Sequence, residues 1–354
     1  MPTTALTVDN ELLSATSIQA ASDAKSVKHV VTPYLAEHAR IHGEGNPNKG
    51  SGHKWITSFE TGGHSSPTKR RTGYEQLNLT FSGVLTPMVL TPAEISFPVG
   101  ISAVEEDLNG GDLQTIELAS RRAASVMGEA KRQFEQQMIA GGVTEWDDFN
   151  TLNGIDFSTQ GMLEHRASGS QTNTIGGLAK ASYQSFPGLQ HQFADCGSSF
   201  NSSGLISLYR TIIKAKARAL DDISKLSVIC SEKGMENYKR TIQANERYIV
   251  NSGDDSLDAT GLNLLINGVP AHVSTHMPQA GTNSATNKAS FYLIDMASIY
   301  FCWSKVLRDG YFSMSDFEAV GNGYSVRIAE VLVRGQLCVD FWGSSALITN
   351  AETF

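Results

Sequence analysis

The chain has 354 residues, a formal net charge of −8 and only 18% charged residues. That length is ample for two lobes or one elaborated domain around a buried core, and the acidic balance excludes an overall basic stripe of the kind that displaces counterions from phosphates. A charged share below the roughly 25% usual for soluble domains, together with 32 glycines, fits either a modest solvated surface or a protein that buries much of its surface against copies of itself.

Four cysteines, Cys196, Cys230, Cys302 and Cys338, lie among apolar neighbours, and no pair of them has metal-ligand spacing. Buried free thiols in a reducing compartment are expected. The sequence opens without a basic region followed by an apolar run, and its apolar stretches are too short to span a bilayer, so cytoplasmic synthesis and folding are expected.

In chain order, residues 1–50 read as an arm rich in Ser, Thr, Ala and Asn, with one short helix around Glu11 to Ala21. Such a segment buries too little apolar surface to fold alone and is expected to gain order on a neighbouring subunit. Residues 51–98 read as a long hairpin. Trp55 to Phe59 leads out, Gly62 to Gly73 is a polar tip containing Lys69, Arg70 and Arg71, and Leu77, Leu79 and Phe81 alternate on the return, which Met88 to Phe97 continues. A hairpin this long needs a surface to lie on.

The spacing predicts a long helix over 112–140, with Leu113, Ile116, Ser120, Ala123, Met127, Ala130, Phe134 and Met138 on one face. Glu117 with Arg121, and Lys131 with Glu135, are assigned to its wet side, and Gly141-Gly142 stops it. Residues 143–204 read as loop-rich. A second helix over 204–222, a buried strand Leu226 to Cys230 and a third helix over 235–246 imply an α+β lobe. Asn267-Gly268 between Leu264-Leu265-Ile266 and Val269 to Val273 is a strong hairpin signal. A strand follows at Ser290 to Ile294, and the tail reads as two strands, Val326 to Val333 and Leu337 to Val339.

This order of parts resembles the tailed-bacteriophage major capsid proteins. Three stretches carry the likeness more closely: Asn173 to Leu178 with Tyr183 and Phe186 after it, Ile266 to Ala271 with His276-Met277-Pro278, and the tail through Asn350. The resemblance implies an α+β phage major capsid fold. Its parts would be an N-terminal arm at 1–50, an extended β-hairpin loop at 51–92, a peripheral domain at 93–200 with a spine helix at 112–140, an axial domain at 201–310, and closing strands at 311–354. It implies a structural protein, not an enzyme, that self-assembles as hexamers and pentamers into an icosahedral shell around double-stranded DNA. Further partners would be a portal and scaffold or decoration proteins, with no membrane. The extended loop would lie across a neighbour's peripheral domain, which makes Lys69, Arg70 and Arg71 candidate contacts to Glu105, Glu106 and Asp107, with Glu145, Asp147 and Asp148 as a second acidic run.

Motifs for chemistry are set aside, and no cofactor or metal is expected. Asn48-Lys49-Gly50-Ser51 places lysine before the glycine and fails the phosphate-loop pattern. His38 and His42, four apart, lack a well-placed third ligand and read as solvated histidines of the arm. The acidic runs point in different directions, whereas acid–base catalysis needs convergence on one atom. Some members of the family join a loop lysine to an asparagine, with a glutamate as base. Lys69, Asn350 and Glu352 are the positions to consider, but Lys69 beside two arginines is read as a charged, non-covalent contact. The alternatives are a bacterial nanocompartment shell of the same fold, which encloses protein cargo, and a soluble α+β enzyme.

Overall fold

A computed structural model of the protein describes residues 32–43, 53–60, 83–108, 118–154, 161–163, 173–183, 186–196, 200–219, 223–245, 264–278, 289–304, 312–319 and 325–351. The expected helix at Glu11 to Ala21 and the hairpin tip with Lys69, Arg70 and Arg71 lie outside the described residues.

The helices are α1 (Pro33–His42), α2 (Ala103–Leu108), α3 (Leu118–Ile139), α4 (Ser202–Lys216) and α5 (Glu232–Asn245). The strands of the first half are β1 (Trp55–Glu60), β2 (Leu85–Leu90), β3 (Ala93–Ser102), β4 (Thr151–Asn153), β5 (Gly161–Leu163), β6 (Thr174–Ile175), β7 (Leu178–Ala179) and β8 (Gln192–Asp195). Those of the second half are β9 (Leu226–Cys230), β10 (Leu264–Ile266), β11 (Val269–Val273), β12 (Ala289–Asp295), β13 (Ile299–Trp303), β14 (Ser313–Met314), β15 (Glu318–Ala319), β16 (Val326–Val339) and β17 (Ala346–Thr349).

A six-stranded mixed sheet in the order β10-β11-β9-β12-β17-β8 divides the protein into two cores. Strand alternation does the dividing. Val228, Cys230, Phe291, Leu293, Ala346 and Ile348 point to one side and pack with Leu208 and Ile212 of α4 and Met235 and Tyr238 of α5. Ile229, Tyr292, Ile294 and Leu347 point to the other and join the core built on α3. The Asn267-Gly268 hairpin forms as its sequence predicts, with φ of 52 and 72 at the two turn residues and Ile266 opposite Val269.

The second large sheet is built on β16, which pairs with β3 from Val326↔Ser102 to Gly335↔Ala93 and with β13, β14 and β15 along its other edge. The expected two tail strands are therefore one continuous strand. Gly335 does not break it: a Cβ there would meet Cys302 O at 2.4 Å, so glycine is what allows β13 and β16 to pack this closely. Likewise Met88 to Phe97 does not continue one strand. β2 ends at Leu90 and pairs with β1, while β3 turns away to β16.

From Ala123 to Met138 helix α3 buries the predicted face, whereas Ser120, assigned to the same face, is exposed and Leu113 and Ile116 lie outside the described residues. Ala123, Ala130, Phe134 and Met138 are buried, Met127 is partly buried, and Phe134 meets Phe301 edge-to-face at 4.8 Å. Gly141 and Gly142, at φ 75 and 81, end it, and the amide of Gly141 returns to the carbonyls of Gln136 and Gln137. A wet-side expectation is overturned as well. Glu135 is fully buried, not on a wet face paired with Lys131.

Candidate functional site

The reason for burying Glu135 is α1. The first amides of a helix have no partner within it and mark its positive end. Thr32 at the N-cap provides no side-chain cap for α1. Glu135 supplies one from across the fold: its two carboxyl oxygens accept from Tyr34 N at 2.7 Å and Leu35 N at 3.0 Å. Burial pushes its pKa up to about 8, against the pull of the two amides.

The rest of α1 is fastened in the same manner. His38 is fully buried, and its Nε2 accepts from Phe301 N at 3.0 Å. Burial and the neighbouring His42 push its pKa down to about 3. His42 Nε2 donates to Met296 O at 2.6 Å. Glu37 meets His272 of β11 at 2.9 Å and Arg40 at 2.8 Å. Burial works against the Glu37 carboxylate, but the hydrogen bonds from His272 and Arg40 outweigh it and hold its pKa below the usual value. The solvated-histidine reading of His38 is thus corrected: its acceptor nitrogen is occupied by a backbone amide inside the core. Residues 33–42, read as part of an arm ordered by a neighbour, are packed on their own chain between the two sheets.

The acidic turn ahead of α3 is equally specific. Ser102 and Glu105 form a reciprocal capping box on α2: Ser102 Oγ accepts from Glu105 N at 3.2 Å, and Glu105 Oε2 accepts from Ser102 N at 3.0 Å. Arg122 of α3 then grips the same carboxylate with two bonds, at 2.9 and 3.0 Å, and donates to Gly100 O at 3.0 Å. Those Arg122 bonds are the largest reason the Glu105 carboxyl lies below its ordinary range. Of the three candidate acids, Glu105 thus ties α2 to α3 and β3, and Asp107 is exposed, while the Glu106 side chain lies outside the described residues. In the second run, Glu145, Asp147 and Asp148 are exposed around fully buried Trp146.

The base of the hairpin is anchored on its inner face only. Trp55, Phe59, Met88 and Leu90 are buried, and Phe59 stacks on Trp342 at 5.2 Å. Gly176, at φ 56, backs onto β2, where its carbonyl accepts from Val89 N at 2.8 Å and a Cβ would meet Val89 O at 2.7 Å. That turn belongs to the Asn173 to Leu178 stretch: Gly176 serves this close approach, and Gly177, with open space around it, supplies a positive φ of 82.

Among the described residues no group of three or more His, Cys, Asp or Glu is placed to hold a metal ion, and no helix is long and apolar enough to cross a membrane.

No protein-family model matches the sequence, and no curated protein does. The fold, however, is shared with solved shells. The cyanophage A-1(L) capsid matches with a TM-score of 0.60 at 15% identity, covering 96% of this chain and 99% of that one. The capsid of the native GTA particle matches at 0.57 and 11% identity, covering 95% and 98%. The SrpI encapsulin of Synechococcus elongatus PCC 7942 matches at 0.56 and 10% identity, covering 96% and 94%. The chain therefore has the α+β fold of shell-forming capsid subunits. Within that class it is the fold of the tailed-phage major capsid proteins.

Proposed function

We propose that this chain is the major capsid protein of a tailed bacteriophage. It is a structural, non-catalytic subunit that assembles as hexamers and pentamers into an icosahedral shell of the virion around double-stranded DNA. The observation that supports this best is the near end-to-end likeness to the cyanophage capsid. It extends over 96% of this chain and 99% of that one, and is more than a shared core motif. A portal, and scaffold or decoration proteins where the assembly uses them, complete the partner set. The tip charges Lys69, Arg70 and Arg71 would be received by a neighbour's acidic turn, and Asp107 is the exposed acid there with a described side chain.

Sedimentation, light scattering and electron microscopy of the purified protein across ionic strength test the reading. Closed particles are expected. A compact monomer under all conditions, alone and with a co-expressed scaffold, would refute it. A second reading, a nanocompartment shell, is favoured by the likeness to the SrpI encapsulin. The contents of particles from the natural source separate the two: nuclease-protected DNA for the first, a protein cargo for the second.

A further inference from the structure

Asparagine precedes glycine at Asn109, Asn153, Asn267 and Asn322. Asn109 and Asn322 lie outside the described residues. The pairing matters chemically because glycine, with no Cβ, leaves its amide nitrogen open to the carbon of the preceding side-chain amide. The fold treats the two described pairs in opposite ways. Asn153 is buried, its Nδ2 donates to Ala140 O at 2.8 Å, and Gly154 N donates to Leu163 O at 3.1 Å, so both reacting groups are held. Asn267 and Gly268 are exposed at the tip of the β10–β11 hairpin, and the Gly268 amide donates to no backbone carbonyl among the described residues. A cation sits on this second turn. Lys216, the last residue of α4, donates from Nζ to Asn267 O. A Cβ placed at Gly268 would meet that Nζ at 3.5 Å and no other atom of the described residues within 4 Å. Asn267 O belongs to the peptide group whose nitrogen is that of Gly268. When that nitrogen loses its proton, negative charge passes to the same oxygen, and an ammonium placed on it stabilises the anion.

We propose that Asn267 is a self-modifying site, which converts to aspartate and isoaspartate through a cyclic imide formed with Gly268. The Gly268 nitrogen gives its proton to water and attacks Asn267 Cγ. The N–Cγ bond forms, the Cγ–Nδ2 bond breaks, and Nδ2 leaves as ammonia after taking up a proton from water. Water then opens the ring at either of its two carbonyl carbons. Opening at Cγ gives aspartate in the original backbone. Opening at the other carbonyl routes the backbone through the side chain, adds a carbon to the turn, and leaves a carboxylate that contains the oxygen Lys216 already holds. Either product gives the Lys216 ammonium a charged partner where it had a neutral carbonyl, and so strengthens the tie between α4 and the hairpin. The folded subunit alone suffices for this reaction, so the proposal stands apart from the shell reading.

Incubation of the purified full-length subunit at mildly alkaline pH tests it, sampled over weeks by peptide mapping. Mass gain and labelling by an isoaspartate methyltransferase are the readouts. Asn267 should react while the chain is folded, and Asn153 should stay intact until the chain is unfolded in urea. Lys216→Met should slow the reaction at Asn267 about two- to fivefold, the size expected of one exposed cation, and Lys216→Arg should keep the wild-type rate. In urea, wild type and Lys216→Met should react alike, because only the fold brings Lys216 to this carbonyl. If Lys216→Met fails to fold, added salt screens the same cation in the wild-type subunit and should slow the reaction. An Asn267 that stays intact in the folded subunit but reacts in urea would overturn the proposal, because the turn would then protect it. Equal folded rates with and without the Lys216 cation would overturn it too.

Discussion

The buried carboxyl group of Glu135 accepts from the amide of Tyr34 at 2.7 Å across 101 positions of sequence. One long-range contact therefore does the work that a local cap does at most helix starts, and it places α1 between helix α3 and the six-stranded sheet. Glu135→Leu leaves two buried amides without acceptors. Each costs about 1–3 kcal/mol, so roughly 2–6 kcal/mol of stability should be lost. Chemical denaturation of the subunit checks this, and a loss under about 1 kcal/mol would show that water replaces the cap.

Two groups on α1 and its slot give the subunit opposite pH slopes. Glu135 has a folded-state pKa raised from 4.5 to about 8. The folded state therefore holds this proton more tightly than the unfolded chain, and its contribution is full below 4.5 and lost as pH rises through 8. His38 is lowered from 6.5 to about 3. Its contribution is full above 6.5 and lost as pH falls toward 3. Glu135→Gln should flatten the alkaline limb of a stability–pH curve. His38→Gln, which keeps an acceptor for Phe301 N, should flatten the acid limb. Unchanged limbs in both variants would mean that neither group titrates with folding.

Truncation separates the arm from α1. Deleting residues 1–31 should leave the subunit melt near wild type. Deleting 1–42 should lower it sharply, because Tyr34 is fully buried and Leu35 is 8% exposed and each such side chain contributes about 1.5–3 kcal/mol. Equal melts for the two truncations would show that α1 adds nothing to its own chain.

Much of this fold is legible in the sequence where neighbours in the chain decide the outcome. The Asn267-Gly268 turn, the buried face of α3 and the strand Leu226 to Cys230 all follow from local pattern. α1 carried signals too: Pro33 at the first turn, Arg40 and His42 in the last, and Gly43 after it with φ 69. They were outweighed by the polar composition of the surrounding segment. Glu135 was not legible. A carboxylate four residues from a lysine on a helix reads as a surface pair, and only the arrival of α1 from 101 positions away turns it inward. The continuity of β16 between Val333 and Leu337 was not legible for a similar reason: the close approach of Cys302 that requires Gly335 is tertiary.

Position on α3 should grade the effect of a buried charge. Ala130 is fully buried, Ala123 is 8% exposed and Met127 is partly buried. An unpaired carboxylate in the interior costs several kcal/mol, comparable to much of a domain's net stability. Ala130→Asp should therefore be most damaging, Ala123→Asp next and Met127→Asp least, ranked by thermal melting of the isolated subunit. A Met127→Asp melt below that of Ala130→Asp would show that the helix is rotated from the face described.

The hairpin tip gives the last prediction. Lys69, Arg70 and Arg71 set three adjacent positive charges on a chain of net −8, and such a run repels itself unless something negative receives it. Changing all three to Glu should block assembly or make particles salt-sensitive while the subunit stays folded, because exposed pairs contribute only about 0–1 kcal/mol each but recur at every contact of a closed shell. The structure refines the compensating change. Reversing Glu105 would break the capping box on α2 and set a positive charge against Arg122, which is 18% exposed at its side chain, so loss of assembly in that variant would report misfolding. Asp107→Lys leaves those bonds alone and should partly restore particles to the triple variant. Sedimentation at low and high salt reads the outcome. Normal yields from the triple variant would mean the tip charges are solvated. A failed rescue by Asp107→Lys, followed by rescue from reversal at Asp147 and Asp148, would move the receiving surface to the turn after α3.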